Sequence, residues 1–103
     1  MFVNLTPHTI NVFYEDGSQT AFPSEGCARV NQITEASGVQ DGVTIYQTKF
    51  GAVEGLPAPQ PGVFYIVSAL VKSRALNRPD LLSPGNLVRD HEGRVIGCEG
   101  FIL

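Results

Sequence analysis

The chain has 103 residues, a length typical of one domain, and its 43% hydrophobic and 17% charged residues are ordinary globular composition, which excludes intrinsic disorder. A net charge of -3 argues against non-specific binding to duplex nucleic acid, which needs a broad basic face. No apolar run approaches the roughly 18 residues that cross a bilayer, and the start lacks a secretory pattern. We therefore expect one soluble, cytoplasmic domain over residues 1–103.

Two cysteines, Cys27 and Cys98, are far apart and form no metal-binding or redox spacing. They favour two free thiols, and a single disulfide between them stays open as the alternative. The chain also lacks a phosphate-binding loop and any spacing typical of metal ligands. We expect no cofactor and no metal.

The first half of the chain predicts three strands. Thr9–Tyr14 is rich in β-formers, a turn follows, and Gln19–Phe22 returns as its hairpin partner. Alternation predicts a third strand over Cys27–Ile33, with Ala28 and Val30 on one face and Cys27 off it.

The middle of the chain predicts a loop, a strand and a connector. Thr34–Gly42 has the composition of a loop, and Val43–Thr48 that of a strand. Phe50–Val53 continues this strand past a bulge at Gly51. Three prolines and two glycines within Gly55–Gly62 indicate a stiff connector.

A buried strand followed by a helix is predicted next. Val63–Val67 is the most apolar run and therefore the expected central strand. Ser68 is a suitable N-cap for the following helix, which Pro79 is expected to end. The apolar stripe of this helix consists of Leu70, Val71 and Leu76.

The last third of the chain predicts a turn at Ser83–Gly85 and a hairpin with strands Asn86–Asp90 and Arg94–Cys98. Its turn is His91–Gly93, where the glycine suits a left-handed conformation, and Phe101–Leu103 is expected as a final strand. The predicted class is β-rich α+β, with about seven short, mainly antiparallel strands in a sheet or small barrel and one short helix.

Several segments together resemble a group of small proteins from phage and bacterial genomes. They are Asn4–His8, Tyr65–Val71, Arg78–Asp80, Ser83–Gly85, Leu87–Asp90 and Gly97–Cys98. The resemblance spans nearly the whole chain and implies a phage or prophage origin. Some phage proteins of this size capture nucleotide signals of bacterial defence systems, and the analogy is one of size and source.

Positive charge is concentrated late in the sequence. Residues 1–60 carry six acids and two bases, whereas residues 61–103 carry four acids and five bases. Free amides at a helix start favour anions, and arginine adds charge-assisted bonds. We therefore predict an anion site from Ser68, Arg74, Arg78 and Arg89; the plainer alternative is that Ser68 is only an N-cap and the bases are solvated.

A second candidate group alternates along an extended segment. Asn4, Thr6 and His8 would project to one face and could orient a base or sugar edge. The plainer alternative is that Asn4 and Thr6 bond the backbone around Pro7 and that His8 is structural.

These patterns favour a binding protein over an enzyme. The leading hypothesis is capture of a small anionic ligand, such as a nucleotide signal of host defence, with a homo-oligomer needed to enclose it. One alternative is a structural or host-protein interaction module that uses the connector and an exposed strand edge. Another is a minimal hydrolase using Cys98 or Ser68 with His8, although a cysteine between glycines on a strand more simply indicates tight packing.

Overall fold

Eight strands and one helix make up the fold, which a computed structural model describes over residues 1–103. The elements are β1 (Phe2–Asn4), β2 (Ile10–Phe13), β3 (Gln19–Phe22), β4 (Arg29–Gln40), β5 (Val43–Glu54), β6 (Phe64–Ile66), α1 (Ala69–Arg74), β7 (Leu81–Arg89) and β8 (Val95–Ile102). The predicted class is confirmed: the fold is β-rich with one short helix. The sequence pattern did not predict β1, the short first strand.

Six strands form one sheet in the order β1-β6-β7-β8-β2-β3, and β4 and β5 form a separate sheet. The long ladders β4–β5 and β7–β8 are antiparallel, whereas each parallel pair spans three residues or fewer. Antiparallel pairing therefore dominates.

The two edges of the larger sheet approach each other. The side-chain amide of Asn4 in β1 donates to the carbonyl of Phe22 in β3 at 2.8 Å, and the backbone amide of Glu25 donates to the carbonyl of Asn4 at 2.8 Å. The rings of Phe2 and Phe22 meet edge to face with centroids 6.0 Å apart. The sheet is thus a nearly closed, barrel-like structure.

Helix α1 connects the parallel neighbours β6 and β7, as a parallel pair requires. It begins after Ser68 as predicted but ends at Arg74, well before Pro79, which lies outside the helix. No helix of this fold has the length and apolar character needed to span a bilayer. The main core lies between α1, β6, the start of β7 and the base of β4, and consists of Leu5, Ala28, Val30, Tyr65, Val67, Val71 and Leu81.

Several predicted elements are confirmed. The hairpins β2–β3 and β7–β8 form, and Gly93 adopts the expected left-handed conformation with φ 82°. Predicted strand Val63–Val67 contains β6, which pairs with both β1 and β7. The bulge at Gly51 is also present: Val30 pairs with Val53 and Gln32 pairs with Phe50, so the single residue between them on β4 opposes two residues on β5.

Three local predictions were wrong. Thr34–Gly42 is not a loop, because β4 runs to Gln40 and turns tightly through Asp41 and Gly42. Ser83–Gly85 is not a turn but part of β7, where Pro84 pairs with Phe101 of β8. Pairing between β7 and β6 ends at Leu82, so the missing N–H of Pro84 removes no hydrogen bond to β6. Phe101–Leu103 is no separate strand, because β8 continues through Ile102.

Residues 31–52, the outer part of β4 and β5, form what we call the arm. Every one of these residues is exposed. The arm explains why the radius of gyration is 16.9 Å and the dimensions 54 × 39 × 19 Å, whereas a compact chain of this length has a radius of about 13 Å. The arm therefore projects from the barrel.

Candidate functional site

The first predicted group, Asn4, Thr6 and His8, lies together at the end of β1, but the side-chain polar atoms of Asn4 and Thr6 are already hydrogen-bonded within the chain. Asn4 is 1% exposed and its Nδ2 donates to the carbonyls of His8 and Phe22, both at 2.8 Å. Its Oδ1 accepts from the backbone amide of Thr6 at 2.9 Å and from the Thr6 hydroxyl at 2.7 Å. This is an Asx-type turn, and it matches the plainer alternative for Asn4 and Thr6.

His8 contributes its carbonyl to this turn, while the residue itself is exposed beside an open cavity of about 630 Å³. No charged residue lines the cavity, whose walls are His8, Thr9, Ile10, Asn11, Pro84, Leu87, Val95, Ile96, Gly97 and Cys98. Although it borders this cavity, Cys98 is only 1% exposed, so its thiol is not an exposed nucleophile. The thiol version of the hydrolase alternative, which requires an exposed nucleophile, thus gains no support.

Ser68 is the N-cap of α1, and its hydroxyl accepts from the backbone amide of Val71 at 3.2 Å. This bond uses the side-chain oxygen that a bound anion would have to share. The helix has six residues, and its basic residues, Lys72 and Arg74, lie in the last turn rather than at the N-terminus. The plainer alternative therefore describes Ser68.

Arg78 is held by its neighbour Asp80. Its Nε and Nη2 donate to the two carboxylate oxygens, each at 2.9 Å, and both side chains are mostly buried, at 17% and 14% exposed. The Arg78 hydrogen bond is the main reason that the pKa of Asp80 is lowered, and burial opposes it. The same bond raises the pKa of Arg78. Its guanidinium is thus already matched with a bidentate anion inside the protein.

The other two predicted arginines make different contacts. Arg74 lies over the ring of Phe50 at 4.4 Å, a cation–π contact between α1 and the arm. Arg89 donates through Nη1 to the carbonyl of Gly93 at 2.9 Å within the β7–β8 turn. In that turn Asp90 pairs with Arg94 at 2.9 Å and not with Arg89.

The topology separates Arg78 from Ser68 and from Arg89. Because β6 and β7 are parallel neighbours, Ser68 after β6 and Arg78 before β7 lie at opposite ends of the sheet. Arg89 ends β7, away from Arg78. Two basic residues, Lys72 and Arg78, do border the same open cavity, which has a volume of about 260 Å³. The structure thus does not bring the predicted anion site together, and binding by these residues stays a prediction.

The arm is the feature that sequence reasoning missed. Directly paired residues share a face of a sheet, so the register divides the arm into two faces. We call one of them the neutral face; it continues from the core pair Val30–Val53 and consists of Gln32, Thr34, Ala36, Val39, Thr44, Tyr46, Thr48 and Phe50. None of these residues is charged, whereas the opposite face carries Glu35 and Lys49, 3.4 Å apart.

Large apolar side chains are open to solvent on both faces of the arm, among them Ile33, Val43 and Ile45 on the face that carries Glu35 and Lys49. The neutral face differs in having no charged residue among them. Val39 is 68% exposed and Tyr46 is 64% exposed. The hydroxyls of Thr34 and Thr48 lie 3.5 Å apart at its centre. Beyond the base, the outer edges of both strands have no neighbouring strand, so the arm offers unpaired backbone groups as well.

The arm was detectable from one local signal. Asp41 and Gly42, with φ 50° and 79°, form the two-residue turn that joins hairpin strands, and Asp-Gly is a strong sequence signal for it. The composition of Val43–Thr48 predicted a strand there, but Gly38 and the extra residue Ser37 obscure the alternation on β4. A bulge at Ser37 shifts the alternation, and that is why this strand resembled a loop.

No group of three or more His, Cys, Asp or Glu side chains is arranged to hold a metal ion. Comparison with protein-family models, curated proteins and solved structures finds no match to this chain, so its function has to be inferred from its geometry.

Proposed function

We propose that this chain is a protein-interaction module that docks onto another polypeptide through the arm. The observation that carries the proposal is the uncharged, solvent-exposed face of residues 31–52. A two-stranded ribbon is only marginally stable in water when nothing packs on it. A partner that covers the neutral face removes Val39 and Tyr46 from water and stabilises the ribbon.

The rest of the surface supports the arm as the docking element. The edge strands of the larger sheet, β1 and β3, have only three and four residues and meet through Asn4 and Phe22, so the 12-residue strands of the arm have the longest free edges. The proline-rich connector is fixed to the barrel, since the hydroxyl of Tyr65 donates to the carbonyl of Ala58 at 3.3 Å and Leu56 packs against the core. The interaction alternative therefore rests on the arm and not on the connector.

Site-specific photo-crosslinking tests the proposal. A benzophenone side chain replaces Tyr46 on the arm or, as the matched control, Tyr14 on the barrel, which is also an exposed tyrosine. In cells that naturally contain the protein, we expect a discrete adduct from position 46 and none from position 14. We expect Thr48→Lys to remove this adduct and Gln47→Lys, on the opposite face, to leave it. Equal adducts from both positions, or none from position 46, would contradict the proposal.

A further inference from the structure

We infer that the partner of the arm is a second copy of this chain, with two arms packed neutral face against neutral face about a two-fold axis. The inference rests on the proposed docking function and names its partner. In such an isologous contact, each residue of the patch meets the same patch on the other copy. The surface must therefore be complementary to itself.

Charge is the first reason that the neutral face fits its own copy. Each chain carries a net charge of -3, so two copies repel each other at most surfaces. None of the residues of the neutral face is charged, so it adds no like-charge pair when it meets itself, except at its base, where Arg74 of α1 lies over the ring of Phe50. Complementary charges help to select a foreign partner, and the charge that this face offers is limited to Arg74 at its base.

The chemistry at the centre of the face is also self-complementary. Thr34 and Thr48 face each other across the two strands there. A threonine hydroxyl both donates and accepts a hydrogen bond, so two threonine pairs can satisfy one another across a two-fold axis. Tyr46 and Phe50 flank this centre on β5 and supply apolar area on either side.

The area is adequate for a specific dimer. The arm is about 30 Å long at about 3.3 Å per residue, and two strands with side chains are about 10 Å wide. Counting the relief of its side chains, one face offers on the order of 500 Å² of accessible surface, so two copies bury on the order of 1,000 Å² in total, near the lower limit for a specific interface. The contact also covers the one part of the chain that projects from the barrel.

A charge-swap experiment on the purified full chain tests the pairing. The molar mass is measured by light scattering at about 10–100 µM, where an interface of this size is expected to form. We expect the wild type at twice the 11.1 kDa of one chain. Thr48→Lys and Thr48→Glu each place two like charges in the interface, so each alone is expected at 11.1 kDa, with a dissociation constant raised at least about tenfold.

Mixing the two variants is the decisive step. An equimolar mixture of Thr48→Lys and Thr48→Glu is expected to dimerise again, because the charges then attract across the axis. Gln47→Lys, the neighbour on the opposite face, is the matched control and is expected to stay dimeric. Circular dichroism establishes that every variant is folded. A monomeric wild type, a dimeric Thr48→Lys, or a mixture that stays monomeric would overturn the self-pairing.

The two proposals fail in different ways. If the wild type is monomeric but position 46 still crosslinks in cells to a protein of another mass, docking through the arm stands and self-pairing is wrong. If the wild type is monomeric and position 46 forms no adduct, both are wrong. A crosslinked product from position 46 with twice the mass of the chain supports both.

Discussion

At the residue scale, Asn4 is a structural residue rather than a ligand-binding one. Its side chain links the end of β1 to β3, 18 positions away in sequence, and also holds the turn that contains Thr6 and His8. Asparagine suits this position because its amide group supplies two N–H donors and an oxygen that can accept two hydrogen bonds. The same capacity made it a plausible ligand-binding residue in the sequence.

We expect Asn4→Ala to lower the free energy of unfolding by about 2–4 kcal/mol, because it leaves the carbonyls of Phe22 and His8 and the amide of Thr6 without their partner at a buried site. Urea denaturation measures the change. Asn77→Ala is the control, since Asn77 is exposed, and it should stay within about 0.5 kcal/mol. Equal effects of the two substitutions would refute the structural role of Asn4.

Arg78 shows why a cluster of bases is an ambiguous signal. The sequence Arg-Pro-Asp contains both the base and its carboxylate, two positions apart. Whether the arginine bonds that carboxylate or a ligand depends on burial, and here both side chains lie largely inside the protein. The local sequence therefore contains both partners of the ion pair but does not indicate that they bond each other.

At the element scale, the parallel contact between β2 and β8 joins the β2–β3 hairpin to the rest of the barrel. The ladder between these two strands has one residue pair, Val12 and Cys98. Close approach is made possible by Gly97, because a Cβ there would lie 2.5 Å from the carbonyl oxygen of Asn11 in β2. A backbone oxygen cannot move away from an added Cβ as easily as the end of a flexible side chain can.

We expect Gly97→Ala to destabilise the protein by about 1–3 kcal/mol, since the added methyl group pushes β2 away from β8. Gly100→Ala on the same strand is the matched control, because a Cβ at Gly100 meets nothing within 4 Å. Thermal unfolding of both variants gives the comparison. A Gly97→Ala variant as stable as Gly100→Ala would mean that β2 and β8 are not packed this closely.

Elements with strong local signals were predictable. Both hairpins of the barrel follow from alternation and turn residues, and the start of α1 follows from the capping preference of Ser68. The prediction of a turn at Ser83–Gly85 was wrong because proline and glycine usually occur in turns. In β7 they lie beyond the residues that pair with β6, where a missing N–H is tolerated. That position is defined only by which strands are neighbours.

At the scale of the whole molecule, the positive charge of the second half is dispersed. Arg78 bonds Asp80, Arg94 bonds Asp90 and Glu92, and Lys72 donates to the carbonyl of Ile102 at 3.1 Å. Most of these bases thus have partners within the chain. Lys72 and Arg78 beside their shared cavity are the best remaining place for a small anion.

If the chain acts through the arm alone, mono-, di- and cyclic nucleotides will not raise its thermal stability, because Lys72 and Arg78 beside the cavity already bond Ile102 and Asp80. A captured ligand at about 100 times its dissociation constant would add roughly 2.7 kcal/mol and raise the melting temperature by several degrees. Lys72→Ala is the diagnostic variant, since it leaves no buried carboxylate unpaired. A shift of several degrees that Lys72→Ala removes would favour anion capture over docking through the arm.

The sequence by itself determined the fold class, the two barrel hairpins, the helix cap and the strand within Val63–Val67, because each depends on an apolar pattern or on turn and capping chemistry within a few residues. Only the tertiary structure decided which side chains remain free. The bond from Asn4 to Phe22, the separation of Ser68 from Arg78 and the exposure of the neutral face all depend on which distant segments pack together. A local pattern specifies the polar groups a residue carries, whereas their partners are set by contacts across the whole chain.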